Sequence, residues 1–174
     1  MKCVVLFPTI EEAKSFIITE QKHPVFISGV GMAETAASLI KAIKVKRPKF
    51  VVLAGIAGAY DRSLKIGDVV EVTQERISPL PERYIETYKN DGVTDLVGVS
   101  SNSVVTSSSD SNGAQIENME GAALFSVCKA LDVECCQVRA ISNYVGDPFE
   151  EWDIDSAVAN LTKTLAELFE AMED

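Results

Sequence analysis

A single histidine, His23, occurs in 174 residues. It leaves no second imidazole for a zinc site and no ready partner for a Cys–His nucleophile. The four cysteines, Cys3, Cys128, Cys135 and Cys136, show no C-x-x-C spacing. They read as buried thiols of a reducing cytoplasm, not as a disulfide framework. No metal and no cofactor is expected, so any acid–base chemistry must rest on carboxylates, amides and water. Basic residues are also scarce: 16 Lys and Arg stand against 26 Asp and Glu, a formal charge of −10. That balance argues against nucleic acid or an anionic membrane surface as partner, and leaves a small neutral ligand open. No apolar run reaches the roughly 18 residues that a bilayer span needs. The opening MKCVVLFPTIEEAK lacks the long apolar region and small-residue cleavage site of a signal peptide, and a cytoplasmic location is expected. There is neither an internal repeat nor a linker, so residues 1–174 read as one domain.

What is present is a chain with 47% hydrophobic residues, enough for one α/β or α+β core. KCVVLF (2–7) reads as a buried strand ended by Pro8 and Thr9, and IEEAKSFIITE (10–20) as the helix after it. PVFIS (24–28) is a short strand leading into Gly29-Val30-Gly31. A helix follows, with Ala33, Ala36, Ala37, Ile40 and Ile43 at helical spacing. FVVLA (50–54) has the unbroken apolarity of a strand covered on both faces and is expected to empty into a loop, Gly55-Ile56-Ala57-Gly58-Ala59. Gly67-Asp68 leads into a strand, VVEVTQ. Residues 77–98 carry no clear pattern. Residues 100–111 hold seven serines and read as low complexity bordering on disorder, with VVT (104–106) a short strand at most. Asn118 is expected to cap a helix running to about Leu131. DVECCQVRAI (132–141) is the next strand, with Ser142-Asn143 at its exit. A final helix from about Asp153 shows one apolar face through Ile154, Ala157, Val158, Leu161, Leu165, Leu168 and Met172. This alternation predicts a helix-flanked, largely parallel sheet, in which ligands collect outside the carboxyl ends of the strands. Residues 9–12, 29–31, 55–58 and 142–143 all fall at such ends, which points to one small-molecule site.

Each candidate residue also has a plain structural explanation. GVG between strand and helix can hold an anion on free helix N–H groups or be only a tight turn. The glycines of GIAGA permit unusual φ values or close approach by a flat ligand. Glu11 and Glu12 sit in a first helical turn, where an acid gains about 0.3–1 kcal/mol from the helix dipole, and either can serve as a catalytic carboxylate. Glu120, in NMEGAALF, has the same alternative, with Asn118 as cap. Asn143 can fix a turn. Arg139 inside a strand must be paired or reach water. Trp152 is either core or the wall of a pocket.

Taken together, PTIEE, SGVG, GIAGAYDRSLKIGDVV, NMEGAALFSVCKALDV and VRAISNYVGD resemble the purine nucleosidase and nucleoside phosphorylase superfamily over nearly the whole chain. Within it, the isoleucine of GIAGA, the serine-rich stretch with VVT, and RAISNYVGD before a tryptophan are most similar to futalosine hydrolases. The related methylthioadenosine/S-adenosylhomocysteine nucleosidases carry serine at the Ile56 position and aspartate at the Asn143 position. The resemblance implies a three-layer α/β/α fold with a central mixed, largely parallel sheet, and hydrolysis of a 6-oxopurine nucleoside. It implies Glu12 as the catalytic acid or base, with Glu11 in that place if the helix slips by one residue, and Asn143 as the second catalytic group. Glu120, Met119 and Gly31 would hold the ribose. Asn143, Val104 and Asn118 would hold the base, and Gly55, Ile56, Ala57 and Gly58 would lie near the ligand. Val104 stands where relatives place an aromatic ring. The chain is short for the family, with contractions near 20–24 and 78–98, and a homodimer that completes the pocket is implied. Phosphorolysis needs basic groups to hold a dianion. The first arginine is Arg47, well after GVG, so water is the expected nucleophile. A methylthioadenosine-type nucleosidase, a phosphorylase and a non-catalytic nucleoside binder are the alternatives.

Overall fold

The computed structural model describes residues 2–19 and 22–173. β1 (Cys3–Phe7) is buried throughout and β3 (Phe50–Ala59) nearly so, which is why both sequences lack polar alternation. The two strands run side by side in parallel, with β2 (Val25–Ile27) outside β1 and β8 (Glu134–Tyr144) alongside β3. Successive side chains of a strand point to opposite faces, and each face here has its own helix pair. On one side α1 (Ile10–Thr19) and α4 (Ile154–Glu173) bring Phe16, Leu161, Leu165 and Phe169 against Val5, Val52 and Val138. On the other, α2 (Met32–Lys46) and α3 (Gly121–Leu131) bring Leu39, Leu124 and Val127 against Val4, Leu6 and Val51. Phe7, Phe16 and Phe169 form a chain of tilted rings with centroids 5.6 and 5.8 Å apart. Burying each such ring contributes about 1.5–3 kcal/mol. The architecture is the expected three-layer α/β/α arrangement around an eight-stranded mixed sheet.

The remaining strands close a ring. β4 (Val69–Ile77) lies antiparallel to β8, and β5 (Tyr88–Lys89) adds a short outer hairpin partner to β4. β6 (Gly98–Ser103) pairs in parallel with β4, β7 (Ile116–Asn118) pairs in parallel with β6, and β7 returns antiparallel to the end of β3. The circuit β3–β8–β4–β6–β7 therefore ends where it began, which leaves these strands few bare edges.

Three expectations are corrected and a fourth in part. GIAGA is the second half of β3, paired with β8 through a bulge at Ala57/Gly58, and not an exit loop. The serine-rich stretch is ordered: β6 ends at Ser103, and 104–106 lies beyond it. Its serines are tolerated in a buried strand because Ser101 and Ser103 hydrogen-bond to polar side chains inside the ring. Asn118 ends β7 and Glu120 occupies the cap position of α3, but it is the Asn118 side chain, as expected, that accepts the N–H groups of Glu120 and Gly121 at the helix start. α2 turns Thr35, Leu39 and Ala42 inward and leaves Ile40 48% exposed, because a face made mostly of alanines does not fix the helix phase against the one leucine. Of the helix expected over 10–20, Glu20 lies outside the described residues.

Candidate active site

A cleft of about 470 Å³ opens where β1, β3, β7 and β8 end. Pro8, Thr9 and Glu12 enter it from the start of α1, Ile56, Ala57 and Gly58 from β3, and Ser142 and Asn143 from β8. Met119, Glu120, Val104 and Asn118 form the opposite wall. Val30, Phe149, Trp152 and Ile154 give it apolar sides.

Glu12 is 5% exposed. Its Oε2 accepts from the Thr9 hydroxyl (2.7 Å) and the Thr9 N–H (3.1 Å), and the Thr9 hydroxyl accepts in turn from the Glu12 N–H (3.3 Å). Thr9-x-x-Glu12 is thus a capping box that starts α1. Oε1 does something a cap does not require: it accepts the Ile56 N–H at 2.9 Å. An ionised carboxylate offers about four acceptor sites, so the three donors leave one free. Burial pushes the Glu12 carboxyl above its ordinary range, the bonds from Ile56 and Thr9 and the charge of Arg139 oppose the shift, and Glu120 adds to it. Glu11, on the next position of the helix, is exposed at the rim.

Glu120 is 3% exposed. Its Oε2 accepts the Gly31 N–H at 2.9 Å and its Oε1 accepts from Arg139 Nη2 at 3.1 Å. Gly31 has φ +97°, a conformation that L side chains avoid. The GVG segment therefore serves to aim an N–H at Glu120. Arg139 is 1% exposed and donates with all three nitrogens: Nε to Gln137 Oε1 (2.8 Å), Nη1 to the Ile56 carbonyl (3.1 Å), and Nη2 also to Asn118 Oδ1 (2.9 Å). The guanidinium thus touches Glu120 and the same Ile56 residue whose N–H holds Glu12. Gly55 lies behind this knot. A Cβ there would stand 2.6 Å from Arg139 Nη1 and 3.0 Å from Glu12 Oε1. Removing one partner of such a buried pair costs about 3–5 kcal/mol.

A sequence profile of the Phosphorylase superfamily matches residues 6–98 and 108–172. The chain belongs to that superfamily. No curated protein sequence matches it. Among solved structures, the 5'-methylthioadenosine/S-adenosylhomocysteine nucleosidase of Neisseria meningitidis, in complex with methylthio-immucillin-A, superposes with a TM-score of 0.83 at 18% identity, over 98% of this chain and 100% of that one. The native futalosine hydrolase of Helicobacter pylori gives 0.86 at 15% identity, over 98% of each chain. The Campylobacter jejuni 5'-methylthioadenosine/S-adenosyl homocysteine nucleosidase gives 0.79 at 21%, over 99% and 98%.

In this phosphorylase-superfamily chain, Asn143 is 4% exposed at the end of β8. Ser142 donates its hydroxyl to Oδ1 (2.8 Å), and Nδ2 donates to the Tyr144 carbonyl (3.1 Å). The amide is thereby held in one orientation, with one N–H unused. Gly58 packs closely beside it: a Cβ there would sit 3.2 Å from Nδ2, so the amide would have to give by a few tenths of an ångström. Asn118 also lines the cleft, but its amide is fully engaged: Nδ2 donates to Glu75 and Ser101, and Oδ1 accepts from Arg139 and from the N–H groups of Glu120 and Gly121. Gly55 and Gly31 do not line the cleft: Gly55 lies behind Arg139 and Glu12, and Gly31 acts through its N–H to Glu120.

Sequence reasoning misses Glu117. It lines the cleft and accepts hydrogen bonds from the Tyr60 hydroxyl (2.8 Å), the Ser108 N–H (3.2 Å) and the Ser107 hydroxyl. Its one signal in the sequence is its place beside Asn118, Met119 and Glu120, since these four consecutive residues all line the cleft. Tyr60 has its hydroxyl pushed above the usual range by burial and then by Glu117. Among the described residues, Arg139 is the only basic side chain lining the cleft. Arg62 lies 4.4 Å over the Tyr144 ring instead. No helix of the described residues is long and apolar enough to cross a membrane.

Proposed function

We propose that the chain is a purine nucleoside N-ribohydrolase acting on a 6-oxopurine nucleoside to release hypoxanthine. The observation that carries this reading is the meeting of Glu12, Glu120 and the Asn143 amide in one cleft. Glycosidic cleavage breaks the bond between ribose C1′ and the purine nitrogen, and its electron pair leaves with the base. The sugar turns cationic as this happens, and Glu120 lies where a carboxylate favours that charge and accepts from ribose hydroxyls. Met119 packs beside it against the sugar. Glu12 orients water with its free acceptor site and takes its proton as oxygen joins C1′. Its raised basicity suits that task. The unused Asn143 N–H donates to O6 or N7 of the departing base, where an ionised aspartate has nothing to donate.

Water is favoured over phosphate because the guanidinium of Arg139 is committed to Gln137, Ile56, Asn118 and Glu120. A futalosine-like substrate is the first candidate. A second reading, an inosine-like nucleoside with an uncharged 5′ group, is favoured by the apolar Val30, Phe149, Trp152 and Ile154 and by the lack of a free basic lining side chain among the described residues to meet a benzoate. Phe149, 67% exposed at the cleft edge, fits the covered edge of a homodimer, for which light scattering at micromolar concentration is the check.

The direct test is chromatography of free bases after incubation with futalosine, inosine and methylthioadenosine, with and without inorganic phosphate. Hypoxanthine release without phosphate is expected. Equal release of adenine from methylthioadenosine would overturn the base assignment, and absolute phosphate dependence would overturn hydrolysis. Calorimetric binding of nucleoside without any base release would identify a binder.

A further inference from the structure

Glu75, on β4, is 0% exposed and does not line the cleft. Its Oε1 accepts from the Ser103 hydroxyl (2.6 Å) and Asn118 Nδ2 (2.9 Å), and its Oε2 accepts from Gln137 Nε2 (3.0 Å). No basic side chain forms a salt bridge with it among the described residues. Every strand of the closed ring supplies a member of this network: Ile56 from β3, Gln137 and Arg139 from β8, Glu75 from β4, Ser103 from β6 and Asn118 from β7.

We propose that Glu75 is a positioning residue that fixes the ribose carboxylate, Glu120, by dictating which way two buried amides face. An ionised carboxylate only accepts hydrogen bonds. Asn118 and Gln137 must therefore both turn their NH₂ ends to Glu75. That leaves both carbonyl oxygens facing Arg139, which donates to them at 2.9 and 2.8 Å. With these acceptors in place, Arg139 Nη2 reaches Glu120 at 3.1 Å. A second route runs through the backbone. The same Asn118 Oδ1 takes the N–H groups of Glu120 (2.8 Å) and Gly121 (2.7 Å), and Ser103 takes that of Ala122 (2.8 Å). The polarity set by Glu75 thus reaches both the side chain and the backbone of Glu120. Burial pushes the Glu75 carboxyl upward, while its three donors and the nearby Arg139 oppose that shift. The catalytic consequence rests on the nucleosidase reading above, whereas the geometric claim does not.

Glu75→Gln is the informative change, because it is isosteric yet adds a donor. With its NH₂ at the Oε2 position it faces the Gln137 NH₂. At the Oε1 position it faces Asn118 Nδ2 and the Ser103 hydroxyl. Either way one amide has to turn a donor toward Arg139. A displacement of about 1 Å in a reacting assembly costs about 100-fold, so kcat/KM for base release is expected to fall by about that factor. The charge-exchanged double variant Glu75→Gln/Gln137→Glu restores complementarity. The amide introduced on β4 can donate to the carboxylate introduced on β8 and accept from Ser103 and Asn118, while that carboxylate accepts from Arg139. Its kcat/KM is expected within about tenfold of wild type, taking that window as under about 1.4 kcal/mol. A rescue of this kind is not produced by a residue that merely fills space. A double variant as impaired as Glu75→Gln overturns the proposal. If Glu75→Gln does not fold, the double variant alone decides: folded and active supports the proposal, unfolded or inactive overturns it. Crystal structures give a readout apart from turnover. The Arg139–Glu120 contact should persist in wild type and double variant and be lost in Glu75→Gln, and its persistence there overturns the proposal. Wild-type protein that releases no base from any nucleoside would defeat the nucleosidase reading, and the crystal contact would still decide this one.

Discussion

Glu12→Gln separates the structural duties of this carboxylate from the chemical one. The amide can still accept from Thr9 through its oxygen, but its NH₂ must then face the Ile56 N–H, which Glu12 now satisfies at 2.9 Å. Leaving that donor unmet costs about 1–3 kcal/mol. The variant also removes a buried charge. Folding raises the Glu12 pKa above its ordinary value of 4.5, mainly through burial. The sign follows from linkage. Below about pH 4.5 the group is protonated whether folded or unfolded, and it adds no penalty. As pH rises toward the folded pKa the unfolded chain ionises first, and wild type loses stability that the variant keeps. Wild type should therefore lead at low pH, with the gap narrowing as pH rises through that window. Urea melts of both proteins between about pH 4 and 8 measure it, and subtraction removes Glu75, which shifts in the same direction in both. Base release should meanwhile fall by about 10²–10⁴, the usual worth of a general base, or about 2.7–5.4 kcal/mol of barrier. Wild-type activity should rise with pH through the same raised pKa, because the ionised form is the active one. Activity within tenfold of wild type, or a stability gap that does not vary with pH, would refute the reasoning.

Gly121→Ala should destabilise by about 1–3 kcal/mol through overpacking. Its Cβ would stand 2.7 Å from Gln137 Oε1 and closer still to Gln137 Nε2 and Glu75 Oε2, all in fully buried side chains. The gain in helix propensity, roughly 1 kcal/mol at most, does not offset this, and a midpoint unchanged in urea would contradict it. Asn143→Asp removes the N–H offered to a 6-oxopurine. In mixed-substrate competition it should lower hypoxanthine release relative to adenine by about 100-fold, the scale of a hydrogen bond involving a charged group; an unchanged ratio counts against the role of Asn143. Arg139→Met strands Glu120 as an unpaired buried carboxylate and should cost about 3–5 kcal/mol in equilibrium unfolding. A loss under about 1 kcal/mol would mean that Gly31 alone is enough to hold it.

Local chemistry made much of this legible in advance. β1 and the first half of β3 show as unbroken apolar runs because both faces are covered. α4 shows its face because large aliphatic residues recur on it. β6 could not be recognised by apolar pattern: GVSSNS is polar, and its serines are buried only because Glu75 and Asn118 arrive from strands distant in sequence. Arg139 stands out in the sequence as a charge within a strand, whereas the neutral Gln137, two residues earlier on the same face, does not.

The sequence by itself determined where β1 gives way to α1 and where α4 begins, since apolar period, proline and glycine act over a few residues. It also supplied the acidic, histidine-poor set of groups from which any chemistry here must be made. Only the tertiary structure decided which carboxylates meet. Glu12 comes to lie beside Ile56, and Glu120 beside Gly31 and Arg139, through the parallel crossovers and the closed ring of strands. Buried hydrogen bonds connect residues tens of positions apart, and no local pattern records which donor will find which acceptor.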